Sequence, residues 1–278
     1  PAAVSQQLAG LEATLGAVLL DRSTRPMTVT PAGAMFRRHA QTILNAASEA
    51  RAELAMADLS GLTTLRLGVI EDFDSDVTPR LLSTLARDLK GCRFLLETGA
   101  SHRLMDQLEA RVLDIVIAAD TDQPAEDWRE VHPILSEPFV AVAPPGGNID
   151  DLPLILYTAR HLMGRQIAAH LSRHGLKPAH RFELDSYAAI LAMVAGGEGW
   201  TILTPLALHQ ARAFRAQVEV RPLPLPALSR TLSLSARAGI LQGVPTQIAQ
   251  RLKPLIAEVV ITPALTAAPW LAPALRVL

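Results

Sequence analysis

The sequence predicts an α/β protein in which an N-terminal helix, a hairpin and a long helix precede two lobes, each built on a β-sheet. Two observations predict the lobes. From Leu65 onward, short apolar segments alternate with amphipathic helical segments, which is typical of parallel strands covered by helices on both faces. The alternation pauses over the polar, proline-containing residues 124–138 and then starts again. We therefore predict two βαβαβ units, and a cleft between them at the carboxyl ends of the strands.

The composition narrows the class of protein. Hydrophobic residues make up 49% of the 278 residues, enough for two or three packed domains. The formal net charge is −1, so any contact with nucleic acid must come from local placement of polar and basic side chains. Cys92 is the one cysteine, which excludes a disulfide framework and favours a packing role over redox sensing. No apolar run is long enough to cross a membrane and no signal peptide begins the chain, so we expect a cytoplasmic protein.

The first 33 residues carry a specific local pattern. Leucines recur at helical spacing over residues 2–15, and Gly16 is a plausible helix end. A basic turn over residues 21–26 and a short strand candidate at 27–29 follow, and Thr30-Pro31 is a favourable helix start. This order is that of the second half of a winged helix-turn-helix. The alternative is an ordinary surface helix and hairpin.

The helix that begins at Thr30-Pro31 is predicted to run to about residue 58. Its apolar positions recur at alternating steps of four and three, which is a heptad seam. The seam consists of Phe36, Ala40, Ile43, Ala47, Ala50, Leu54 and Ala57. Small alanines would let a second helix approach closely, so we predict a homodimer through residues 34–58. The alternative is that the seam packs on the body of the same chain.

These patterns divide the chain into five predicted segments. In chain order they are a partial winged helix-turn-helix DNA-binding domain (1–30), the linker and dimerisation helix (31–60), the first lobe (64–140 with 236–262), the second lobe (141–235) and an irregular tail (263–278).

Candidate ligand-binding residues lie where the predicted strands end. The first strand is followed by four acids in six residues, whose alternative role is a solvated loop that caps the next helix. The second strand leads into a helix start whose free amides suit an anion. An acidic patch that faces an amide and arginine patch would suit a zwitterion, so we predict an effector of amino-acid type. The candidates are Glu71, Asp72, Asp74, Ser75, Thr98, Ser101, Asp120, Tyr157, Thr158, Arg160 and Thr204.

No motif supports an enzyme, a cofactor or a metal. His170 and His174 are four residues apart on a predicted helix, but no further metal-binding residue accompanies them, so a solvated helix face is preferred to a metal site. The glycines of residues 195–199 lack the spacing and position of a dinucleotide loop. The chain also lacks the nucleophile elbow of hydrolases and the phosphate-binding loop. We therefore predict no catalytic residues and no cofactor other than a small-molecule effector.

The N-terminal motifs resemble those of the LysR-type transcriptional regulators, and the resemblance extends over nearly all of residues 1–260. Two departures are mild: Leu20 stands where the family usually has Phe, and Val29 where Leu is usual. The first two helices of the family's DNA-binding domain are not expected in this sequence, so by itself it is predicted not to bind an operator. The matching segments are Ala3-Val4-Ser5-Gln6-Gln7-Leu8, Leu11-Glu12, Leu15-Gly16, Leu19-Leu20-Asp21-Arg22, Val29-Thr30-Pro31-Ala32-Gly33, Leu65-Arg66-Leu67-Gly68, Asp114-Ile115-Val116-Ile117 and Val194-Ala195-Gly196-Gly197-Glu198-Gly199-Trp200.

The resemblance implies a fold and a set of roles. The fold is α/β: a partial winged helix-turn-helix plus a long linker helix, then a two-lobed effector domain like a periplasmic binding protein, with two βαβ sheets. The first helix would lie in the major groove of DNA, with Ser5, Gln6 and Gln7 nearest the base edges, and Arg22 and Arg25 would contact phosphates from the wing. The intact protein would be a homodimer or homotetramer. Two rival hypotheses are a stand-alone two-lobed binding protein and, on fold alone, a transferase or hydrolase.

Overall fold

A computed structural model describes residues 2–24, 26–55, 62–121, 126–176 and 180–278. It confirms the predicted α/β class. The N-terminal part contains helix α1 (Ala2–Leu15), the paired strands β1 (Leu20–Asp21) and β2 (Thr28–Val29), and helix α2 (Pro31–Ala55). Helix α1 ends as predicted at Gly16, whose φ of +64° is a conformation that glycine adopts without steric cost.

The start of α2 is held against the β1–β2 hairpin by the sequence Thr30-Pro31-Ala32-Gly33. The Thr30 hydroxyl accepts a hydrogen bond from the Gly33 amide (3.0 Å) and donates one to the carbonyl of Val18 (2.7 Å). Gly33 lies so close to the chain before β1 that a Cβ there would stand 2.0 Å from the carbonyl oxygen of Leu19. Thr30 therefore caps the helix, and Gly33 allows the close approach of helix and hairpin.

The first lobe is a six-stranded sheet with the order β13-β6-β12-β5-β3-β4. Strands β3, β4 and β5 are parallel, as predicted, whereas β6, β12 and β13 run antiparallel to their neighbours. Its strands are β3 (Thr64–Val69), β4 (Arg93–Thr98), β5 (Ile115–Ala119), β6 (Arg129–Pro138), β12 (Ser229–Arg237) and β13 (Arg276–Val277), and its helices are α3 (Val77–Asp88), α4 (Ser101–Glu109), α8 (Val244–Ile256), a π-helical turn (Ala257–Ile261) and α9 (Thr262–Ala267).

The second lobe is a five-stranded sheet with the order β11-β7-β10-β8-β9. Strands β8, β9 and β10 are parallel, and β7 and β11 complete the sheet in antiparallel pairs. Its strands are β7 (Val140–Ala143), β8 (Leu154–Tyr157), β9 (His180–Leu184), β10 (Trp200–Leu203) and β11 (Glu219–Pro222), and its helices are α5 (Leu162–Arg173), α6 (Tyr187–Ala195) and α7 (Pro205–Gln210).

Three sequence-based assignments need correction. Residues 129–138 form β6, where a polar interruption was expected; the strand tolerates Pro133 because Ile134 is the extra residue of a bulge opposite β12. The predicted second lobe, 141–235, wrongly contained β12, which lies between β5 and β6 in the sheet of the first lobe. The segment 263–278 is not an irregular tail, because α9 and β13 order it and β13 pairs with β6.

Two long strands, β6 and β12, connect the lobes. In the part of the chain that the structure describes, no helix is both long and apolar enough to cross a membrane.

Candidate functional site

A small cavity of about 40 Å³ lies between the two lobes. The first lobe contributes the chain after β3 and the start of α4, and the second lobe contributes the chain after β8 and the start of α6. The lining combines polar and aromatic side chains with apolar ones. The residues are Ile70, Glu71, Asp72, Gly99, Ala100, Ser101, Ala119, Tyr157, His161, Leu162, Met163, Tyr187 and Arg230.

The structure brings four of the eleven candidate residues together at this cleft: Glu71, Asp72, Ser101 and Tyr157. Asp72 and Ser101 are buried, and Glu71 is exposed at the rim. The Ser101 oxygen accepts a hydrogen bond from the Ala119 amide (3.2 Å), so its proton is free to be donated into the cleft.

The other seven candidates do not line the cleft. Three have hydrogen-bond partners in the second lobe or at its edge: the Thr158 hydroxyl donates to Glu183 (2.8 Å), Arg160 pairs with Asp185 (2.9 Å), and the Thr204 oxygen accepts from the Ala207 amide and so caps α7. Asp120 accepts a hydrogen bond from Ser233 (2.6 Å). Asp74, which hydrogen-bonds Thr98, and Ser75 are exposed in the loop after β3. The sequence predicts Arg160 as a cation at the cleft, and this is wrong. Its guanidinium pairs instead with Asp185, which follows the neighbouring strand β9, and its side chain is exposed.

Two helices begin at the cleft from opposite lobes. Ala100 precedes α4 and His161 precedes α5, and neither side chain caps its helix with a hydrogen bond. The first amides of both helices therefore lack the side-chain partner that usually satisfies them. Helix N-termini with free amides attract anions, so this side of the cleft suits a carboxylate or another small anion.

A buried ionic cluster lies directly below the cleft. The Arg230 guanidinium donates to Asp72 and to Glu137, each at 2.7 Å, and to the Thr204 hydroxyl at 3.2 Å. The Tyr187 hydroxyl donates to Asp72 at 3.0 Å. The side chains of Arg230, Asp72 and Glu137 are 4%, 6% and 0% exposed, so the charges of this cluster are almost completely shielded from water.

This cluster crosses the junction of the lobes. Asp72 belongs to the first lobe and Tyr187 to the second, while Arg230 and Glu137 lie on the connecting strands β12 and β6. Glu137 also accepts a hydrogen bond from the Leu206 amide (3.0 Å) at the start of α7. The cluster therefore links the two lobes in the arrangement that the structure shows.

Burial sets the protonation of the cluster. It raises the pKa of Glu137, although Arg230 opposes this shift. Burial alone would lower the pKa of Arg230, but Glu137 and Asp72 raise it above its ordinary value, so the guanidinium stays charged. Burial also raises the pKa of Tyr157 to about 12 and that of Tyr187 well above its usual range. Both tyrosines are thus neutral hydrogen-bond donors, and they stack with ring centroids 5.0 Å apart.

Four residues at the cleft and the cluster below it are not predicted from the sequence: Arg230, Glu137, Tyr187 and His161. A signal was present for the first two: each is a charged residue inside an otherwise apolar strand, and such a residue must be paired when it is buried.

The N-terminal part presents a polar helix face. Ser5, Gln6 and Gln7 are all exposed on α1. Arg22 donates to Glu12 at 2.8 Å, and Glu12 also accepts hydrogen bonds from the amides of Leu19 and Leu20. The Leu19 amide, Arg22 and the Leu20 amide together lower the pKa of Glu12. Arg22 thus ties the hairpin to α1 as well as facing solvent, and Arg25 lies outside the described residues.

Both the N-terminal part and the two-lobed part of the chain match known protein families. Residues 60–247 match the family model described as the LysR substrate binding domain, and residues 1–34 match the bacterial regulatory helix-turn-helix protein, lysR family. The chain belongs to the LysR family. It is a LysR-type, DNA-binding transcriptional regulator with an effector-binding domain. The matches favour this function over the alternative of a stand-alone two-lobed binding protein.

Its relatives include transcriptional regulators of different names. It is 29% identical over 238 residues to the HTH-type transcriptional regulator DgdR of Burkholderia cepacia, a match that covers 84% of this chain and 79% of the relative. It is 29% identical over 248 residues, 84% of this chain and 78% of the relative, to a probable hydrogen peroxide-inducible genes activator of Mycobacterium avium. Full-length OxyR of Pseudomonas aeruginosa with a cysteine-to-aspartate substitution superimposes with a TM-score of 0.65 and 25% identity, over 92% of this chain and 85% of that chain.

The structure of this LysR regulator also shows the surroundings of Cys92 and of the pair His170 and His174. Burial raises the pKa of the Cys92 thiol, which lowers its reactivity. His170 is buried and its Nε2 hydrogen-bonds the Pro226 carbonyl (2.9 Å), while its ring stands edge-on to that of His174. Burial lowers the pKa of His170. His170 is therefore part of the packing of α5 and does not lie on the solvated helix face that the sequence predicts, whereas His174 is exposed.

Asp120→Asn is expected to stabilise the protein at neutral pH. Burial raises the pKa of Asp120 although Ser233 donates to it, so the folded state favours the neutral carboxyl. For such a group the favourable contribution is complete below the unfolded pKa and is lost as pH rises through the folded pKa. The variant should unfold at a higher temperature than the wild type at pH 7, and the difference should shrink toward pH 4. A variant that is less stable at pH 7 would contradict this assignment.

Proposed function

We propose that the effector of this LysR regulator is a small zwitterion of amino-acid type, bound between the lobes. Its carboxylate would lie at the first amides of α4 and α5, near the Ser101 hydroxyl. Its ammonium group would pair with Glu71 at the rim. The observation that carries this proposal is the cleft itself, in which two uncapped helix starts face an exposed carboxylate.

The charges around the cleft support a ligand with both signs. Asp72 is already neutralised by Arg230 and Tyr187, so it offers little attraction to an external cation. Glu71 has no such partner among the described side chains and is exposed. A simple dicarboxylate would place its second charge beside Glu71 and be repelled, whereas an ammonium group there would be attracted.

The size of the cleft supports a switch. A cavity of about 40 Å³ holds on the order of one or two water molecules, because one water occupies about 30 Å³ of the liquid. Enclosing a whole amino acid between the lobes would require them to move apart, which would stretch the Tyr187–Asp72 hydrogen bond between them. The ligand would thus bind the open arrangement better than the closed one, and that difference is what shifts a population.

Binding is proposed to be reversible and non-covalent. Some relatives are named as peroxide-inducible activators, but an intrachain disulfide needs two cysteines and these 278 residues contain only Cys92. Burial raises the pKa of this thiol, which disfavours the reactive thiolate. We therefore do not assign peroxide sensing to this regulator, and we propose no catalytic activity for it.

The regulator is proposed to form a homodimer through residues 34–58 and to assemble further into a homotetramer. Regulators of this family are oligomeric. On α2, Ile43 of the seam and Met35 and Leu44 beside it are 68%, 55% and 64% exposed, so an apolar surface is available to a second helix. The side chains of Ala50 and Leu54 and all of Ala57 lie outside the described residues. Because its target is chromosomal DNA, we propose a cytoplasmic location.

A thermal-shift screen tests the effector class. Amino acids of different side chains and a set of dicarboxylates would be added to the full chain, and a ligand at about 100 times its dissociation constant should add about 2.7 kcal/mol of stability. Glu71→Gln should abolish the shift caused by an active amino acid. Asp74→Asn is the matched control: it removes a nearby exposed acid that does not line the cleft, and it should respond like the wild type. Stabilisation by dicarboxylates alone, or an unchanged response of Glu71→Gln, would refute the proposal.

A further inference from the structure

A second cavity, with a volume of about 270 Å³, lies away from the effector cleft. It is open to solvent on one side and lies between α7 with the residues after it, in the second lobe, and the C-terminal helical segment of the first lobe. None of the described residues that line this cavity also lines the cleft. It therefore requires its own explanation.

The interior of this cavity is apolar. Leu208 and Val220 form one wall, and Val260, Ala264 and Leu271 form the other. An apolar cavity of about 150 Å³ is large enough to hold benzene, so the present volume accommodates a ring or an alkyl chain of several carbons. The lining thus selects a ligand with a compact apolar body.

The charged groups at this cavity are predominantly basic. His209, Arg212 and Arg215 all line it. His209 (3.1 Å) and Arg212 (2.9 Å) share a single carboxylate, that of Asp76. Arg215 donates only to the carbonyl of Val218, at 3.4 Å, and has no carboxylate partner in the part of the chain that the structure describes. One acid does not balance these basic groups, so the rim is complementary to an anion.

We propose that this cavity is a second binding site, for an amphipathic monocarboxylate. The apolar body would pack between Leu208, Val260 and Leu271, and the carboxylate would accept hydrogen bonds from Arg215 and Arg212. An apolar pocket with a few polar groups at one end is the usual form of a small-molecule site. The assignment does not depend on the zwitterion proposed for the cleft.

Binding of octanoate to the full-length protein, measured by calorimetry and thermal shift, tests this site. The uncharged control probe is 1-octanol, which has the same number of carbon atoms. Octanoate, kept below its micelle concentration, should stabilise the wild type and bind about tenfold more tightly than octanol. Arg215→Gln should weaken octanoate about tenfold and leave octanol unchanged. Arg173→Gln is the matched control, because Arg173 also donates to one backbone carbonyl at 3.4 Å but does not line this cavity.

Two further variants locate the ligand. Ala264→Phe places a large side chain in the cavity and should abolish binding of both probes, whereas Glu71→Gln alters the rim of the cleft and should leave both unchanged. Failure of octanoate to bind, equal binding of octanol, or equal losses in Arg215→Gln and Arg173→Gln would overturn the proposal. So would loss of octanoate binding in Glu71→Gln. If Ala264→Phe instead changes the sedimentation coefficient without affecting either probe, the cavity is an interface between copies and the proposal is wrong.

Discussion

Replacing Arg230 by methionine is expected to destabilise the protein by about 3–5 kcal/mol, because Asp72 and Glu137 would be left buried without their cation. This loss is a large fraction of the roughly 5–15 kcal/mol that stabilises a typical folded protein. The melting temperature should fall by roughly 10 °C at pH 7. Urea denaturation followed by circular dichroism measures the change in free energy directly.

The cost should depend on pH. Burial raises the pKa of Glu137 even with Arg230 present, and removing the guanidinium removes an opposing influence, so the folded variant favours the neutral acid still more. A raised folded pKa makes the folded state relatively more stable below the unfolded pKa, and that advantage is lost as pH rises. The deficit of Arg230→Met should therefore be smaller near pH 4 than at pH 7.

Arg212→Met is the matched control for this prediction. Arg212 also pairs with an aspartate of the other lobe, at 2.9 Å, but its side chain is 58% exposed. Exposed pairs contribute about 0–1 kcal/mol, so this variant should unfold almost like the wild type. Adding Asp72→Asn and Glu137→Gln to Arg230→Met should recover part of the loss. Equal stabilities of Arg230→Met and Arg212→Met would show that the buried cluster does not stabilise the lobe junction.

Gly33→Ala is expected to separate the hairpin from α2 and to weaken DNA binding about tenfold or more, because the wing would no longer be held in register with α1. The new Cβ would lie 2.0 Å from the Leu19 oxygen and 2.9 Å from a methyl carbon of Val29, so the backbone must shift. Overpacking of this kind costs about 1–3 kcal/mol. Fluorescence anisotropy of the full-length regulator with the DNA upstream of its gene measures the affinity.

Gly10→Ala is the control within the same domain. Gly10 lies inside α1 with no neighbouring atom within 4 Å of the position of a Cβ, so alanine should be tolerated and stabilise the helix by about 0.5–1 kcal/mol. Effector binding should be unchanged in both variants, since the lobes are not altered. If Gly33→Ala and Gly10→Ala unfold alike and bind DNA alike, the close contact between α2 and the hairpin has no role in recognition.

The features that the sequence predicts well are local ones. Helix α1, the hairpin and the Thr30 cap depend on residues that lie within about ten positions of each other in the sequence, and both the bounds of α1 and the cap agree with the structure. The alternation of apolar strands and helices likewise predicts the two parallel cores. These patterns can be seen without knowing the tertiary fold.

The features that escaped prediction depend on distant residues. Arg230 contacts Asp72 and Glu137, which are 158 and 93 positions away in the sequence, so no spacing rule connects them. The sequence predicts that the Asp72 carboxylate is available to a ligand, but the fold places it against Arg230 and Tyr187. Arg160 was similarly selected for a carboxylate ligand and instead pairs with Asp185 of the neighbouring strand end. Which charges remain available to a ligand is decided by long-range pairing.

The most direct test of the central claim, that a ligand in the cleft controls DNA binding, is a measurement of DNA affinity. The full-length regulator would be titrated with the DNA upstream of its gene, with and without a saturating amino acid found in the screen. If the cleft ligand changes the lobe arrangement, the DNA affinity of the wild type should change by roughly 5-fold or more, and bound DNA should change the ligand affinity by the same factor. Glu71→Gln should bind DNA normally and show no response to the amino acid. An unchanged DNA affinity of the wild type at saturation, or a full response of Glu71→Gln, would contradict the account.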